Sequence, residues 1–352
     1  MKLKSLAVSL IILATLALSS CGKSKWLSSL DEAKSKAQKQ NKNIYILFSG
    51  DDFDDSSVAF KQSVTNTKEF EELFKDYILV NIIFSETDYS KTQNVPEDAD
   101  KKTLREVEKI EQEYKEKMEL SRNYGVQSFP AAYILSPEGF VLLALPFDPA
   151  QTNAQEYKDA IDSRSTEILE SKDLINTVKA SQGLEKVQAI EALCQSANGQ
   201  LAIGSLRPYI EEVLVLDPTN ESGLLGEYLI RDAYFKSFDA ISNNEDPALS
   251  FENVVESEFL NPSLKQEAYF LAAYNLAMIG STDFDRMIDN LQNAYDIAPE
   301  SDQVQYILQG LEQVKQMKEI YSQMAQAGAI TSEDETSSAS AENSSDNLSS
   351  EN

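Results

Sequence analysis

At 352 residues the chain is long enough for two domains, each able to bury a core of its own. It carries 58 Asp and Glu against 31 Lys and Arg, a formal charge of −27, which disfavours binding to nucleic acid and adsorption to anionic lipid. There is no histidine, which excludes Ser-His-Asp and Cys-His catalysis, imidazole-ligated zinc and the usual proton shuttle near neutral pH.

Residues 1–20 combine a basic start at Lys2 and Lys4, an apolar run over 6–18 too short for a lone spanning helix, and small residues ahead of a cysteine. That is the pattern of an export signal. Leu18-Ser-Ser-Cys21 resembles the bacterial lipobox, which implies a signal peptide over 1–20, a lipoprotein acylated at Cys21 (palmitate among its chains) and a tether over 21–25. An uncleaved anchor or an ordinary signal is the alternative. Acyl chains partition at about 0.8 kcal/mol per buried methylene, so several together hold a protein on a membrane. On this reading the protein faces the periplasm or exterior of a bacterial cell envelope, and the lipid is its membrane contact. If Cys21 is acylated, no disulfide forms within the chain, because Cys194 is the only other cysteine. Cys194 sits in a helical apolar pattern and reads as a buried, inert thiol.

A helix is expected over 30–39, with Leu30, Ala33 and Ala37 on one face and Ser29 with Glu32 as a capping box. Strands are expected over 44–48 and 77–84, with helices between them over 54–62 and 67–74, the second capped by Thr67. Residues 86–100, polar and interrupted by Pro96, read as a loop. A charged helix over 103–122 follows, with Leu104, Val107, Ile110, Tyr114 and Met118 in a stripe that reads as core contact, and Glu111/Lys115 and Glu113/Lys117 on the solvated side. Residues 131–135 and 141–145 form a hairpin about Pro137-Glu-Gly139, and 157–174 closes the first domain as a helix.

The run Ile44-Tyr-Ile-Leu-Phe-Ser-Gly-Asp-Asp-Phe-Asp-Asp-Ser-Ser57 resembles a thioredoxin active-site segment without its sulfur. Gly50, Asp52 and Phe53 keep the pattern; Asp54 and Ser57 stand where that family carries its two cysteines. Upstream, Trp26-Leu-Ser-Ser-Leu-Asp-Glu-Ala33 is similar to the opening helix of periplasmic thioredoxin-like domains. Downstream, Tyr124-Gly-Val-Gln-Ser-Phe-Pro130 is similar to the family's Tyr-Gly-Val-x-x-x-Pro segment. The resemblance implies an α/β thioredoxin-like domain over 26–174, a central mixed sheet flanked by helices. It also implies that Pro130 is cis and faces the vacated cysteine positions across a shallow groove.

Residues 175–328 are nearly all helical in pattern. Residues 269–280 and 283–299 pair in a way that resembles a tetratricopeptide repeat, with Ala272, Ala273, Gly280, Phe284, Leu291, Ala294 and Pro299 near the repeat's small, apolar and helix-stopping positions. A fainter echo ends at Asp217-Pro218. These imply a degenerate, all-α helical-repeat domain whose concave face over 269–299 is a candidate contact region, with a non-repeat bundle as the alternative. Residues 329–352, rich in Ser, Glu, Asp and Asn, read as a disordered acidic tail.

Dithiol chemistry needs a thiolate stabilised at a helix N-terminus. Here that helix end receives Asp54, Asp55, Ser56 and Ser57, groups that cap backbone donors and suit the helix dipole. The expected protein is therefore not an enzyme and takes no cofactor. Asp51, Asp52, Asp54 and Asp55 are weak candidate ligands for calcium or magnesium, although the spacing does not match the twelve-residue calcium loop and a capped, solvated acidic loop is the plainer reading. The candidate binding groove comprises Phe53, Asp54, Asp55, Ser56, Ser57, Phe129 and Pro130, where an extended segment would add as a strand. The expected function is a lipid-anchored, redox-inactive interaction or scaffold module with an extracytoplasmic protein or peptide partner. The alternative is an envelope chaperone or a weak carboxylate-metal enzyme.

Overall fold

Strand β1 (Asn43–Gly50) is buried from Ile44 to Gly50 and reads as a continuous apolar run rather than an alternation. Its neighbours explain why. β2 (Tyr77–Phe84) lies parallel along one edge, with Ile46 opposite Val80. β3 (Ala131–Leu135) lies antiparallel along the other, with Ile46 opposite Tyr133. β4 (Val141–Leu145) completes the hairpin, giving the order β2-β1-β3-β4. A strand paired on both edges and covered on both faces keeps a polar residue only where it finds a partner, as Ser49 does with Asn81 at 3.1 Å. Gly139, at φ +98°, closes the hairpin turn, and its carbonyl accepts from the Tyr124 hydroxyl at 2.6 Å. The computed structural model describes residues 26–96, 98–196 and 203–326. The export signal, Cys21, the tether and the acidic tail over 329–352 lie outside these.

The two faces of the sheet differ in chemistry. On one, α1 (Leu30–Gln40) sets Leu30, Ala33 and Ala37 against Ile44, Ile46, Phe48, Val80 and Ile82. Ser29 caps it by accepting from Glu32 N–H at 3.4 Å. On the other face the rings of Trp26, Phe70, Phe74 and Tyr157 surround Tyr45, with centroids 5.2–6.3 Å from its own. The buried hydroxyls of Tyr45 and Tyr157 satisfy each other at 3.1 Å. Each fully buried large side chain contributes about 1.5–3 kcal/mol of transfer free energy.

The cover is built by α2 (Asp55–Phe60), which runs on as a π-helical turn (Lys61–Thr65), and by α3 (Lys68–Leu73), capped by Thr67. Next come α4 (Glu86–Gln93) and α5 (Lys101–Asn123). Then follow α6 (Ala154–Ser163), α7 (Ser165–Ala180), α8 (Gly183–Gln195), the 3₁₀ turn Ile203–Leu206 and α9 (Arg207–Leu216).

Several expectations are corrected here. The first part of the loop expected over 86–100 is helix α4, whose start is fixed by polar caps rather than by an apolar face. The helix expected over 157–174 is two helices, α6 and α7, meeting at Arg164. That side chain bonds Glu167 at 2.7 and 2.8 Å and the Ala144 carbonyl of β4 at 2.9 Å, so the break is held to the sheet. The stripe on α5 is only partly core: Val107, Ile110 and Tyr114 are half-buried, while Leu104 and Met118 are exposed. Tyr114 meets Phe84 and Tyr89, and Glu113 pairs with Lys109 at 3.3 Å rather than with Lys117.

The domain boundary drawn at 174 falls inside α7, and the chain divides into two compact units between Glu212 and Val213. Three contacts carry the first unit past 174. Phe140 stacks on Tyr209 at 4.8 Å, Lys179 pairs with Glu138 at 2.7 Å, and Lys186 pairs with Glu212 at 2.6 Å.

The second unit is helical: α10 (Leu225–Ser242), α11 (Leu249–Val254), α12 (Pro262–Met278), α13 (Phe284–Ile297) and α14 (Val304–Gln326). Its start is organised by Asp217, which is buried and accepts from Glu221 N–H at 2.6 Å, Ser222 N–H at 3.1 Å and the Ser222 hydroxyl at 2.5 Å. The helix pair expected over 269–299 is present as α12 and α13. Ala273, Leu291 and Ala294 share a cluster with Ile307 and Leu311 of α14. Arg286 joins α13 to α11 through two bonds to Glu252, at 2.6 and 2.8 Å, and reaches Asp246 at 2.5 Å.

The buried Gln266 of α12 donates to the carbonyls of Ala294 (2.8 Å) and Ala298 (2.9 Å), closing the C-terminal end of α13, and accepts from the Ser301 hydroxyl at 2.5 Å. Gln266→Leu keeps the volume and strands these groups, so stability falls by about 1–3 kcal/mol. A lower urea midpoint for the helical unit, followed by circular dichroism, is the expected readout.

Candidate functional site

β1 ends at Gly50, and the following loop delivers four carboxylates within five positions. Gly50 leaves room for the ring of Phe53, which folds back over the strand end: a Cβ at position 50 would lie 2.7 Å from its Cζ. α2 then begins with Asp54 as its N-cap, accepting from Ser57 N–H at 2.7 Å. Ser57 is fully buried, and its hydroxyl accepts from Gly50 N–H at 3.1 Å. Asp54 and Ser57 are thus joined to each other and to the strand by hydrogen bonds. Asp55 is exposed in the first turn of α2, and Ser56 is half-buried.

The acidic loop does not converge on one point. Asp51 pairs with Lys61 and accepts from the Ser49 hydroxyl at 3.3 Å, while that hydroxyl also reaches Asn81 at 3.1 Å. Asp52 turns to another element altogether. It accepts from Glu86 N–H at 2.7 Å, Thr87 N–H at 3.0 Å and the Ser85 hydroxyl at 2.8 Å, so it caps α4 together with Ser85, which accepts from Asp88 N–H at 3.2 Å. The contacts from Thr87, then Glu86 and Ser85, hold the Asp52 carboxyl well below the usual carboxylate range. Among the described residues no cluster of three or more Asp, Glu or Cys side chains has the geometry to hold a metal ion. Sequence reasoning placed Asp52 in the loop and missed its partner; Ser85-Glu-Thr-Asp88 has the Ser-x-x-acid spacing of a capping box and was the available signal.

Across from the loop, the Phe129–Pro130 peptide bond is cis. Pro130 is buried beside Leu47, Phe60, Leu145 and Tyr157, while Phe129 is half-buried and packs on Phe84 at 4.9 Å. The structure therefore brings the seven groove residues to one end of the sheet, with a difference from expectation. Phe53 and Phe129 do not flank an open channel; their rings meet edge to face at 5.9 Å and 75°. Phe53 remains 47% exposed. Among the described residues, the backbone of Gln127, Ser128 and Phe129 makes no hydrogen bond, leaving a run of donors and acceptors in the bend ahead of β3.

With this geometry in place, residues 25–105 match the family model described as "Thioredoxin-like", and residues 224–320 match one described as "Uncharacterised protein C-terminal domain". The N-terminal domain is thioredoxin-like, and an all-helical region follows it. A Treponema pallidum (strain Nichols) protein described as uncharacterized is 26% identical over 202 residues, covering 55% of this chain and 65% of its own length, so the chain spans less than two thirds of that relative. A solved structure titled DsbH Oxidoreductase aligns over 39% of this chain and 81% of its own, at 19% identity and a TM-score of 0.30.

Asp52 is the link between loop and α4. Asp52→Ala raises amide hydrogen exchange at Glu86, Thr87 and Asp88 about tenfold, by hydrogen–deuterium exchange, with β1 amides unchanged. Because its folded pKa is depressed, the ionised form makes the contact. The cap is intact above about pH 4, the unfolded value, and is lost only as pH falls through the lower folded value. Titration of the Asp52 carboxyl by NMR checks the order: it stays ionised while free carboxylates protonate.

Proposed function

We propose that the chain is an exported, lipid-anchored protein whose thioredoxin-like domain works without dithiol chemistry, as an interaction module of the cell envelope. The observation that carries this reading is the helix end at Asp54–Ser57. A thiolate there would be stabilised by unpaired amides; instead the Asp54 carboxylate takes the Ser57 amide and the Ser57 hydroxyl takes the Gly50 amide. Cys194, the one cysteine among the described residues, is buried in α8 of the same unit. What the site keeps is a recognition surface. The unpaired backbone of 127–129 can add an extended segment by main-chain hydrogen bonds, with Phe53 swinging off Phe129 to admit it. The lipobox at Leu18–Cys21 supplies the anchor, and the net negative charge leaves the acyl chains as the membrane contact.

Separate measurements test the parts. Purified protein does not reduce insulin disulfides above background, whereas Asp54→Cys combined with Ser57→Cys, at the same helix end, gains turnover; reduction by the unsubstituted chain would falsify the redox reading. Cys21→Ser moves the protein from the detergent phase to the aqueous phase and abolishes acyl labelling. A photocrosslinking side chain at position 129 captures an extracytoplasmic protein, and a Phe53→Trp substitution reports displacement of the ring by a change in emission. Suppression of the aggregation of many unrelated clients, with no discrete partner crosslinked, would favour a chaperone instead.

A further inference from the structure

The second unit carries a groove that the thioredoxin-like site does not involve. Glu267, Phe270 and Leu271 of α12 form one wall; Gln303 before α14, with Tyr306 and Ile307 on it, forms the other, around about 430 Å³ of open space. The apolar surface continues along α12. Phe270, Tyr274 and Met278 follow each other at four-residue spacing, which puts them on one face over about 12 Å. Tyr274 is 51% exposed and Met278 64%, and Tyr306 on the opposite rim is 70% exposed. Solvated single apolar residues are ordinary, but a continuous strip of aromatic and methionine side chains is the composition of a recognition surface.

One end of this strip is acidic. Glu267 is half-buried in the groove wall and makes no hydrogen bond or ion pair among the described residues, while Glu227 lies close enough to act on it electrostatically. The only cation acting on it there is Arg231, which pairs with Glu227 at 3.8 Å and covers the Tyr228 ring at 4.6 Å. The guanidinium is thus engaged by Glu227, leaving the Glu267 carboxyl beside an apolar slot. Burial, and then Glu227, raise the Glu267 carboxyl above its ordinary value, with Arg231 opposing, which is the condition of an acid lacking a counter-charge of its own.

We propose that this groove seats a segment of a partner protein in which apolar side chains, held by Phe270, Tyr274 and Tyr306, adjoin a lysine or arginine that pairs with Glu267. Charge decides among occupants. The chain's own 329–352 segment has no Lys or Arg and would bring like charge to Glu267, and a second copy brings another net charge of −27. A basic, apolar segment supplies both missing parts. This surface is independent of the Phe129 groove, and either reading can fail without the other.

The test uses the full chain and two labelled peptides, Leu-Lys-Phe-Lys-Leu and its counterpart with glutamate for lysine, read by fluorescence anisotropy at physiological salt. The lysine peptide binds and the glutamate peptide does not. Glu267→Gln weakens binding about tenfold, whereas Glu319→Gln, an exposed change of the same charge on α14, has no effect. Tyr306→Ala, at a solvated position, also weakens binding and keeps the idea testable if Glu267→Gln does not fold. Equal loss in Glu267→Gln and Glu319→Gln would reduce the attraction to bulk charge and overturn the proposal. So would tight binding of the glutamate peptide, or a self-association in sedimentation that Tyr306→Ala abolishes.

Discussion

Strand β1 is hydrogen-bonded on both edges and packed on both faces, and the first unit is arranged around that condition. Ile44, Ile46 and Phe48 feed one core, and Tyr45 anchors a ring cluster on the other. A strand so confined has one freedom left, at its C-terminal end. There Gly50 leaves room for the Phe53 ring, the Asp54 carboxylate takes the Ser57 amide of α2, and the Ser57 hydroxyl takes the Gly50 amide of the strand. The end of the sheet is where a parallel pairing most readily presents a site, and this chain fills it with oxygen.

The acidity of the chain has a structural logic that net charge alone hides. Aspartates sit at the starts of helices throughout: Asp54 at α2, Asp52 with Ser85 at α4, Asp100 at α5 (2.7 Å from Thr103 N–H) and Asp283 at α13 (3.2 Å from Arg286 N–H). A carboxylate at such a position satisfies a donor that the helix leaves open and is favoured by the dipole, typically by about 1 kcal/mol for the cap. The loop that reads as a candidate cation site is therefore three separate devices: an ion pair with Lys61, a cap on α4 and a cap on α2.

Much of this was legible from residues alone, for reasons that also mark where legibility stopped. The four strands announced themselves because each is a short apolar run between turn residues; β2, β3 and β4 match their expected bounds, and β1 is extended at both ends. The cis proline followed from the Tyr-Gly-Val-x-x-x-Pro resemblance. α4 was missed because none of its residues is buried, so it leaves no apolar periodicity and rests on caps from elsewhere in the chain. The α6–α7 break was missed because no glycine or proline marks it; Arg164 makes it through a contact to β4. The cap at Gln266 was likewise invisible, since its partners lie 28 and 32 residues away. Patterning reports what an element does for itself. What one element does for another is written only in three dimensions.

The bond between Asp52 and the first turn of α4 has a mechanical side. α4 has little packing of its own: it leans on α5 through Tyr89 and Tyr114 and hangs from the loop by one carboxylate. That carboxylate is the immediate neighbour of Phe53, whose ring meets that of Phe129 edge to face. One short loop thus serves two neighbours at once, holding the start of an outer helix through Asp52 and meeting the residue ahead of the cis proline through Phe53.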